Sequence, residues 1–487
     1  MQAQLTDAIM AALPQWVAQQ RWYAGKGRFP QLTHLGGLRL RDPAGKVDVS
    51  VHLLLDESGP TPTTYQVPLT ARTDRLAGGD HALVATAEPD GHDIPGTVYL
   101  YDAPHDPAFA SALLALMLGE GTAESDPDRG NGGQPIPVGH SGSAAQGHRL
   151  TTTDPGELLA SRVLVGEQSN TSIIMDMVDT LGAPMKPLIC KLFRVLQDGQ
   201  NPDVVVQSAL AAAGSSRVPS SVGAVAGQWP DAAATGGVAT GHLAFASEFI
   251  PGVEDAWRVA LTAVAAGADF TAQARSLGQA TAQVHAALAR AMGTRDASPG
   301  DVAALTRSMR ARHAAAVSEV PALVEHDRMV QASIEAVTSA RWPALQRIHG
   351  DYHLGQVLDV PGRGWVLVDF EGEPLRPLAE RTQPDLALRD VAGMLRSFDY
   401  VAGSWEQEHP GRSAAPWATR ARTAFLDGYA SSAGRDPRED GVLLDALELD
   451  KALYEVVYEA RNRPTWLSIP TAAIAQLSAA RRSDLPL

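Results

Sequence analysis

The chain has 487 residues, 45% of them hydrophobic and 20% charged, and a net charge of −15. That length is enough for a large core in two or three domains, and the acidic balance argues against nucleic acid as a partner. The single cysteine, Cys190, excludes a disulfide framework and a cysteine-based zinc site. No apolar run reaches membrane-spanning length, and the first residues lack the basic-then-apolar pattern of a secretion signal, so a soluble cytoplasmic enzyme is expected.

Residues 1–100 read as a small α+β unit. Leu5 to Gln19 has helical apolar spacing, and residues 52–55, 64–67 and 81–84 are short strand candidates separated by Gly, Pro and Asp. Between them, Gln20-Arg21-Trp22-Tyr23-Ala24-Gly25-Lys26-Gly27-Arg28 is basic and aromatic. It is either an anion site or a structural joint that sets Trp22 against another domain, and the joint is the preferred reading. Residues 105–118 read as a helix, and Gly119 to Gly147 as a loop or linker rich in Gly, Ser, Asp and Pro.

A strand at Leu158–Val165 leads into the turn Gly166-Glu167-Gln168-Ser169-Asn170-Thr171-Ser172 and a second strand at Ile173–Met175. The turn is an ordinary hairpin or a cradle in which Ser169, Asn170 and Thr171 lie over phosphates. The apolar strand 187–193 is interrupted by Lys191, which is either an edge-strand lysine facing solvent or, the preferred reading, a lysine on the buried side that needs an anion, as kinase folds meet with a nucleotide phosphate. Residues 242–250 form a strand running into a hinge at Pro251-Gly252, where the backbone of Glu248, Phe249 and Ile250 is a candidate for the adenine edge. From Ala256 onward the chain reads as mainly helical.

Within that helical region lies His349-Gly350-Asp351-Tyr352-His353-Leu354-Gly355-Gln356-Val357, followed by Leu367-Val368-Asp369-Phe370-Glu371-Gly372-Glu373-Pro374. Kinase-like catalytic loops use an aspartate for the acceptor hydroxyl, a downstream amide on the metal, and a strand-end aspartate holding the metal against the nucleotide. Asp351, Gln356 and Asp369 fit those places, with Glu371 as a further Mg²⁺ ligand. Three carboxylates within residues 369–373 repel one another unless a cation or basic groups sit among them.

With these residues in hand the chain resembles the maltokinase-like sugar kinases of actinobacteria, related in fold to aminoglycoside phosphotransferases and eukaryotic-like kinases. Nearly the whole length carries the resemblance: residues 20–25, 166–172, the Lys191 strand, Asn201-Pro202-Asp203, residues 349–357 and 369–374, residues 389–398, and Tyr454-Glu455-Val456-Val457-Tyr458-Glu459 with Arg461-Asn462-Arg463-Pro464. It implies a bilobal α+β kinase-like fold: an N-terminal cap (residues 1–100), a β-rich nucleotide-binding lobe (101–250) and a helical C-terminal lobe (251–487) with the catalytic loop and sugar pocket. The implied cofactors are ATP and Mg²⁺, the partner is a small-molecule sugar, and the chain acts as a monomer or dimer.

Two departures from the maltokinase pattern stand out. Val205 occupies the place of a glutamate that pairs with the strand lysine, so Asp203 or Gln207 is expected to partner Lys191. Tyr352 and the stretch Arg381–Arg389 also differ, and both are expected beside the acceptor pocket. That suggests a relative in the glucosamine kinase branch, acting on the 6-hydroxyl, with a maltokinase as the alternative and a pseudokinase or binding module as the third reading. A carboxylate-rich pocket favours an aminosugar. The acceptor residues so implied are Asp351, His353, Asp385, Glu455, Tyr458 and Trp466, with Glu459 nearby and Asp385 as first candidate for the amine. Asp385 is alternatively a cap of the helix beginning near Leu386, Arg389 and Asp390 are expected to pair within that helix, and Trp466 either stacks on a sugar or packs in the core.

Overall fold

The computed structural model describes residues 2–88, 97–124, 143–166, 169–373 and 376–484. It divides into two compact units, Met1–Val204 with Ser220–Pro251, and Val205–Pro219 with Gly252–Leu487.

In the first unit, α1 (Gln2–Ala18) precedes β1 (Leu32–Leu40), β2 (Asp48–Asp56), β3 (Thr63–Arg72), β4 (Leu83–Ala87) and β5 (Val98–Asp102). These strands form an antiparallel sheet in the order β1-β2-β3-β5-β4. Apolar residues of α1, Ile9, Leu13 and Val17, bury against Leu54, Tyr65, Val67, Leu69 and Leu100 of the sheet. The strand expected from His81 starts only at Leu83, because Asp80–Ala82 form a 3₁₀ turn. Helix α2 (Pro107–Leu118) begins with Asp106 accepting from the Ala108 N–H and Pro107 in the first turn, where its missing N–H costs nothing.

Next come β6 (Thr122–Glu124), β7 (Ala144–Arg149), β8 (Glu157–Val163), β9 (Thr171–Val178), β10 (Leu188–Leu192), β11 (Val195–Leu196), α3 (Pro202–Ala212), β12 (Ser221–Pro230) and β13 (Val238–Glu248). Seven of these strands form an antiparallel sheet, β6-β7-β12-β13-β10-β9-β8, while β11 pairs with β3 in the first sheet. The expected loop over 119–147 therefore contains two strands. Alanine, glycine and polar side chains disguise β7, which is held by its backbone ladder to β12 and by the burial of Ala145. Residues 125–142, and Glu167 and Gln168 of the expected phosphate turn, lie outside the described residues. Cys190 is a core residue, its thiol pushed up to about 12 by burial. Trp22 is buried beside Tyr65 within the same unit, and the Arg194 guanidinium lies 4.8 Å from its ring.

The second unit is mainly helical: β14 (Glu254–Asp255), α4 (Ala256–Ala265), α5 (Thr271–Met292), β15 (Thr294–Arg295), α6 (Pro299–Glu319), α7 (Asp327–Ser339), β16 (Leu345–Gln346), β17 (Val357–Val360), β18 (Gly364–Leu367), α8 (Leu378–Arg381), α9 (Ala387–Glu408), α10 (Ala415–Ala433), α11 (Gly441–Asn462) and α12 (Ser468–Asp484). A reciprocal Ser298/Asp301 capping box starts α6. Helices α5 and α10 meet through glycines: a Cβ at Gly278 would strike the Phe425 carbonyl, and one at Gly428 the Arg275 carbonyl. Val391, Met394, Leu395 and Phe398 of α9 bury in the same core as Leu447, Leu453 and Val456 of α11. The neighbouring faces of these two helices are thereby left to build the site. Among the described residues no helix is long and apolar enough to cross a membrane.

Candidate active site

The catalytic loop runs from β16 into a 3₁₀ turn at Leu354–Gln356 and then β17. Gly350 has φ +87°, which a side chain would strain, and this lets the chain turn sharply before Asp351. Buried Asp390 of α9 fixes that turn by accepting from the N–H groups of His349 (2.8 Å) and Gly350 (2.9 Å). Its carboxylate also binds His285 Nε2 at 3.0 Å, and His285 Nδ1 reaches the Tyr429 hydroxyl at 2.9 Å. Burial would raise the Asp390 pKa, but His285 and the loop amides outweigh it and keep the carboxyl ionised below its usual range. The expected Arg389–Asp390 pair is absent, since consecutive helical residues point about 100° apart. Arg389 instead holds Asp385 (2.7 Å) and Asp450 (3.1 Å).

His349 Nε2 donates to the Val368 carbonyl (3.0 Å), its ring packs 4.7 Å from Phe370, and its Nδ1 faces the Asp351 N–H. That ring ties the catalytic loop to the end of β18. There Asp369 takes φ +66°, an uncommon conformation for a non-glycine residue, and accepts from the Gln356 amide at 3.1 Å. Gln356 and Asp369 are thus brought together, with Glu371 half-buried two residues on. The crowding of acidic groups is resolved at Glu373, which Lys451 (2.8 Å) and Arg312 (3.1 Å) grip. Burial would raise Glu373, yet those two cations hold it down at about 2. Burial likewise opposes the Lys451 charge, but Asp351 and Glu373 keep its pKa well above the ordinary lysine range.

Lys451 is the residue that sequence reasoning missed. It reaches Asp351 at 3.0 Å and also lines a cavity of about 340 Å³ with Trp257, His353, Tyr400, Glu455 and Trp466. Lys451, Tyr454, Glu455, Tyr458 and Glu459 recur at three- and four-residue spacing, so one face of α11 supplies most of this wall. That spacing was the signal available in the sequence. The Glu455 carboxylate accepts both Arg396 bonds on Oε2 (2.8 and 3.1 Å), so Oε1 is the oxygen left to the cavity. Burial pushes Glu455 above its usual range, and Arg396 and Lys451 offset only part of that. Glu459 spends both oxygens on Arg463, and Oε1 also takes the Tyr400 hydroxyl. Trp466 lies 6.3 Å from Tyr400 in a stacked arrangement and lines the cavity rather than the core. Burial pushes His353 down toward the neutral form, with Nδ1 accepting from the Gly355 N–H.

Asp385 is not in this cavity. It bonds Arg389 and Arg376 and borders a separate cleft with Arg312. Nor does it cap α9: its carboxylate accepts from the adjacent Leu386 N–H, one residue too early, and Leu386 occupies the cap position. Tyr352 is also away from this cavity, buried with its hydroxyl 2.8 Å from Thr281. Neither departure from the maltokinase pattern therefore lines this cavity.

In the first unit, Lys191 pairs with Asp203 at the start of α3 (2.7 Å), which answers the loss of a glutamate at Val205. Gln207, the other candidate, turns its amide to the Pro219 carbonyl. Ser169 is exposed and Asn170 half-buried, whereas Thr171 is buried with its hydroxyl accepting from Arg194 (2.8 Å) and not presented to a phosphate. At the hinge, the N–H groups of Glu248 and Phe249 are used by the Ser220 and Pro187 carbonyls, so Ile250 is the residue of the three whose amide this pairing leaves over.

Residues 16–106 match the maltokinase N-terminal cap domain, and residues 206–440 match the phosphotransferase enzyme family. A glucosamine kinase from Streptacidiphilus jiangxiensis is 33% identical over half of this chain and 59% of its own length. One from Mycolicibacterium smegmatis is 29% identical over 83% of this chain and 97% of its own length. A solved glucosamine kinase in complex with glucosamine, ADP and inorganic phosphate shares the fold, with a TM-score of 0.63 and 22% identity over 97% of this chain and 99% of that one. The chain has a kinase-like fold, with one stretch similar to the maltokinase N-terminal cap domain and another similar to the phosphotransferase enzyme family.

Proposed function

We propose that the protein is an ATP-dependent glucosamine kinase that phosphorylates the 6-hydroxyl of D-glucosamine. The observation that carries this is the cavity beside the catalytic loop, where a half-satisfied carboxylate, Glu455, and aromatic walls share one ring of residues with Lys451, which reaches Asp351. Aromatic faces suit a pyranose ring, and the Glu455 oxygen suits an ammonium group. The sugar kinases to which the chain is similar along most of its length lend independent support.

In this reading Asp351 orients the sugar hydroxyl and accepts its proton as the oxygen attacks the γ-phosphorus of ATP. The bond to the β-phosphate oxygen breaks and ADP leaves. Lys451 fixes the Asp351 carboxylate while Glu373 and Arg312 fix Lys451, so the base is held on a braced frame. Lys191, paired with Asp203, is the candidate for the nucleotide phosphates, and the Ile250 amide for the adenine edge. Gln356 and Asp369 are oxygen donors side by side, a set that suits Mg²⁺, with Glu371 as a further ligand. When bound, that ion would neutralise phosphate charge.

The cap match favours a second reading, a maltokinase acting on the C1 hydroxyl of maltose. The product separates the two: phosphorus NMR of the sugar phosphate should show a 6-phosphate monoester of glucosamine. Glu455→Gln should lower the preference for glucosamine over glucose about tenfold or more, the scale of one charge-assisted hydrogen bond. An unchanged preference would remove Glu455 from amine recognition, and a 1-phosphate product would turn the reading to maltokinase.

A further inference from the structure

We propose that the cleft bordered by Arg307, Arg312, Arg376, Arg389 and Trp342 is a second binding site, one that takes a phosphorylated sugar of the product's class and slows the reaction when filled; this rests on the phosphotransfer reading above. The cleft has a volume of about 530 Å³ and shares no lining residue with the cavity that holds Glu455 and Trp466. In a chain of net charge −15 it gathers four guanidinium groups in one place. Ser308 and Arg312, four residues apart on α6, share a helix face, and Arg307 flanks it. Arg376 comes from the turn before α8, and Arg389 from the first turn of α9.

The carboxylates that border the cleft do not use up these cations. Asp301 gives both oxygens to Arg295, each at 2.7 Å, and also accepts from Ser298. Asp385 takes Arg389 on Oδ2 at 2.7 Å and the Leu386 N–H on Oδ1. Arg376 is left with two long contacts, 3.5 Å to Glu380 and 3.5 Å to Asp385. Arg307 is exposed and makes no ion pair among the described residues. Two forked donors therefore border the cleft with capacity to spare, and a guanidinium fork matches the oxygens of a phosphate. Trp342 spends its Nε1 on the Val337 carbonyl at 3.1 Å, so what it offers the cleft is its ring, which suits a pyranose. The same cleft touches the frame that holds Asp351. Arg312 grips Glu373 at 3.1 Å, Glu373 grips Lys451 at 2.8 Å, and Lys451 reaches Asp351 at 3.0 Å. A phosphate beside Arg312 competes with Glu373 for that guanidinium. Glu373 then leans on Lys451 alone and draws it from Asp351. The filled cleft thus lowers turnover without occupying the place of sugar or nucleotide.

The test uses the full chain as wild type, Arg307→Ala, Arg307→Lys and Arg376→Ala. Calorimetry with glucosamine 6-phosphate, and separately with inorganic phosphate, is run on protein saturated with glucosamine and Mg·ADP, so that the cavity and the nucleotide site are already filled. Glucosamine 6-phosphate is expected to bind as one equivalent. Arg307→Ala and Arg376→Ala should each weaken it about tenfold, the scale of one charge-assisted hydrogen bond, and Arg307→Lys should weaken it less. At saturating ATP and glucosamine, added glucosamine 6-phosphate should lower kcat about fivefold or more with KM for glucosamine unchanged. Arg307→Ala should keep the uninhibited kcat and lose that sensitivity. Binding and inhibition that survive intact in both alanine variants, or inhibition that excess glucosamine relieves, would put the sugar phosphate in the Glu455 cavity and overturn the proposal. Inorganic phosphate that binds as tightly as glucosamine 6-phosphate would overturn the assignment of the cleft to a sugar. Wild-type protein that releases no ADP with any sugar would overturn the phosphotransfer reading itself, an outcome kept separate by the calorimetry, which needs no turnover.

Discussion

Asp351 is the residue on which the proposed chemistry turns, and its surroundings explain why a single carboxylate there is held so firmly. Lys451 bridges it to Glu373, and Arg312 carries the chain of charges on to Asp450. Asp351→Asn keeps the shape but loses the proton acceptor, so kcat is expected to fall about 100-fold or more with Mg·ADP affinity kept; full turnover in that variant would remove Asp351 from the mechanism. Glu373 gives a separate, thermodynamic test. Its folded pKa lies near 2 against an ordinary 4.5, so its ion pairs stabilise fully above about pH 4.5 and are lost as the pH falls toward 2. Urea unfolding should find wild type more stable than Glu373→Gln at pH 6, with the gap narrowing by about 2 kcal/mol at pH 3; a gap that holds constant would mean the carboxylate is not so depressed. The grip on Glu373 was implied by the sequence, where acidic crowding demanded basic neighbours. Its owners were not, because Arg312 and Lys451 are 61 and 78 residues away in the chain.

At the scale of elements, α9 and α11 make the cavity proposed for the acceptor because each keeps one face for the core and one for the cavity. From α9 come Gly393, Ser397 and Tyr400, and from α11 Lys451, Tyr454, Glu455, Tyr458 and Glu459. Glu455, Tyr458 and Trp466, grouped by the sequence reading, line one cavity. It misplaced Asp385 because closeness in sequence to α9 says nothing about which side of that helix a residue preceding it will occupy. It hid β7 because that strand is defined by its ladder and not by apolar side chains. Strands with a clear apolar alternation, such as those around Lys191 and His242, were legible. The α5–α10 crossing was not, since glycines at a helix contact have no periodicity to betray them. That crossing makes its own prediction: Gly428→Ala places a methyl against the Arg275 carbonyl, and thermal or urea unfolding should show a loss of about 1–3 kcal/mol. Undiminished stability would mean that the helices can part without cost.

At the scale of the whole chain, the structure divides into two compact units. The cap is an α-helix on a sheet, the β-rich lobe shares that sheet's β11 through β3, and the helical unit carries the loop and the cavity. The stretch 349–373 was legible as one candidate site because its residues are local in sequence and have fixed spacing. The acceptor was harder to read, since its pocket is assembled from α4, α9, α11 and the loop, and its charges cancel in pairs that only folding creates. Glu455 and Glu459 look like a bare acidic pocket in the sequence but arrive with Arg396 and Arg463 attached. The proposed amine preference therefore rests on one remaining oxygen and not on net charge. The measurement that tests this most directly is the initial rate of ADP release with glucosamine, N-acetylglucosamine, glucose and maltose as acceptors for the same preparation. Glucosamine is expected to give the highest kcat/KM, by about ten- to a hundredfold over glucose, with N-acetylglucosamine poor because acetylation removes the charge and adds bulk. A higher kcat/KM for maltose, or ADP release that no sugar accelerates, would contradict the account.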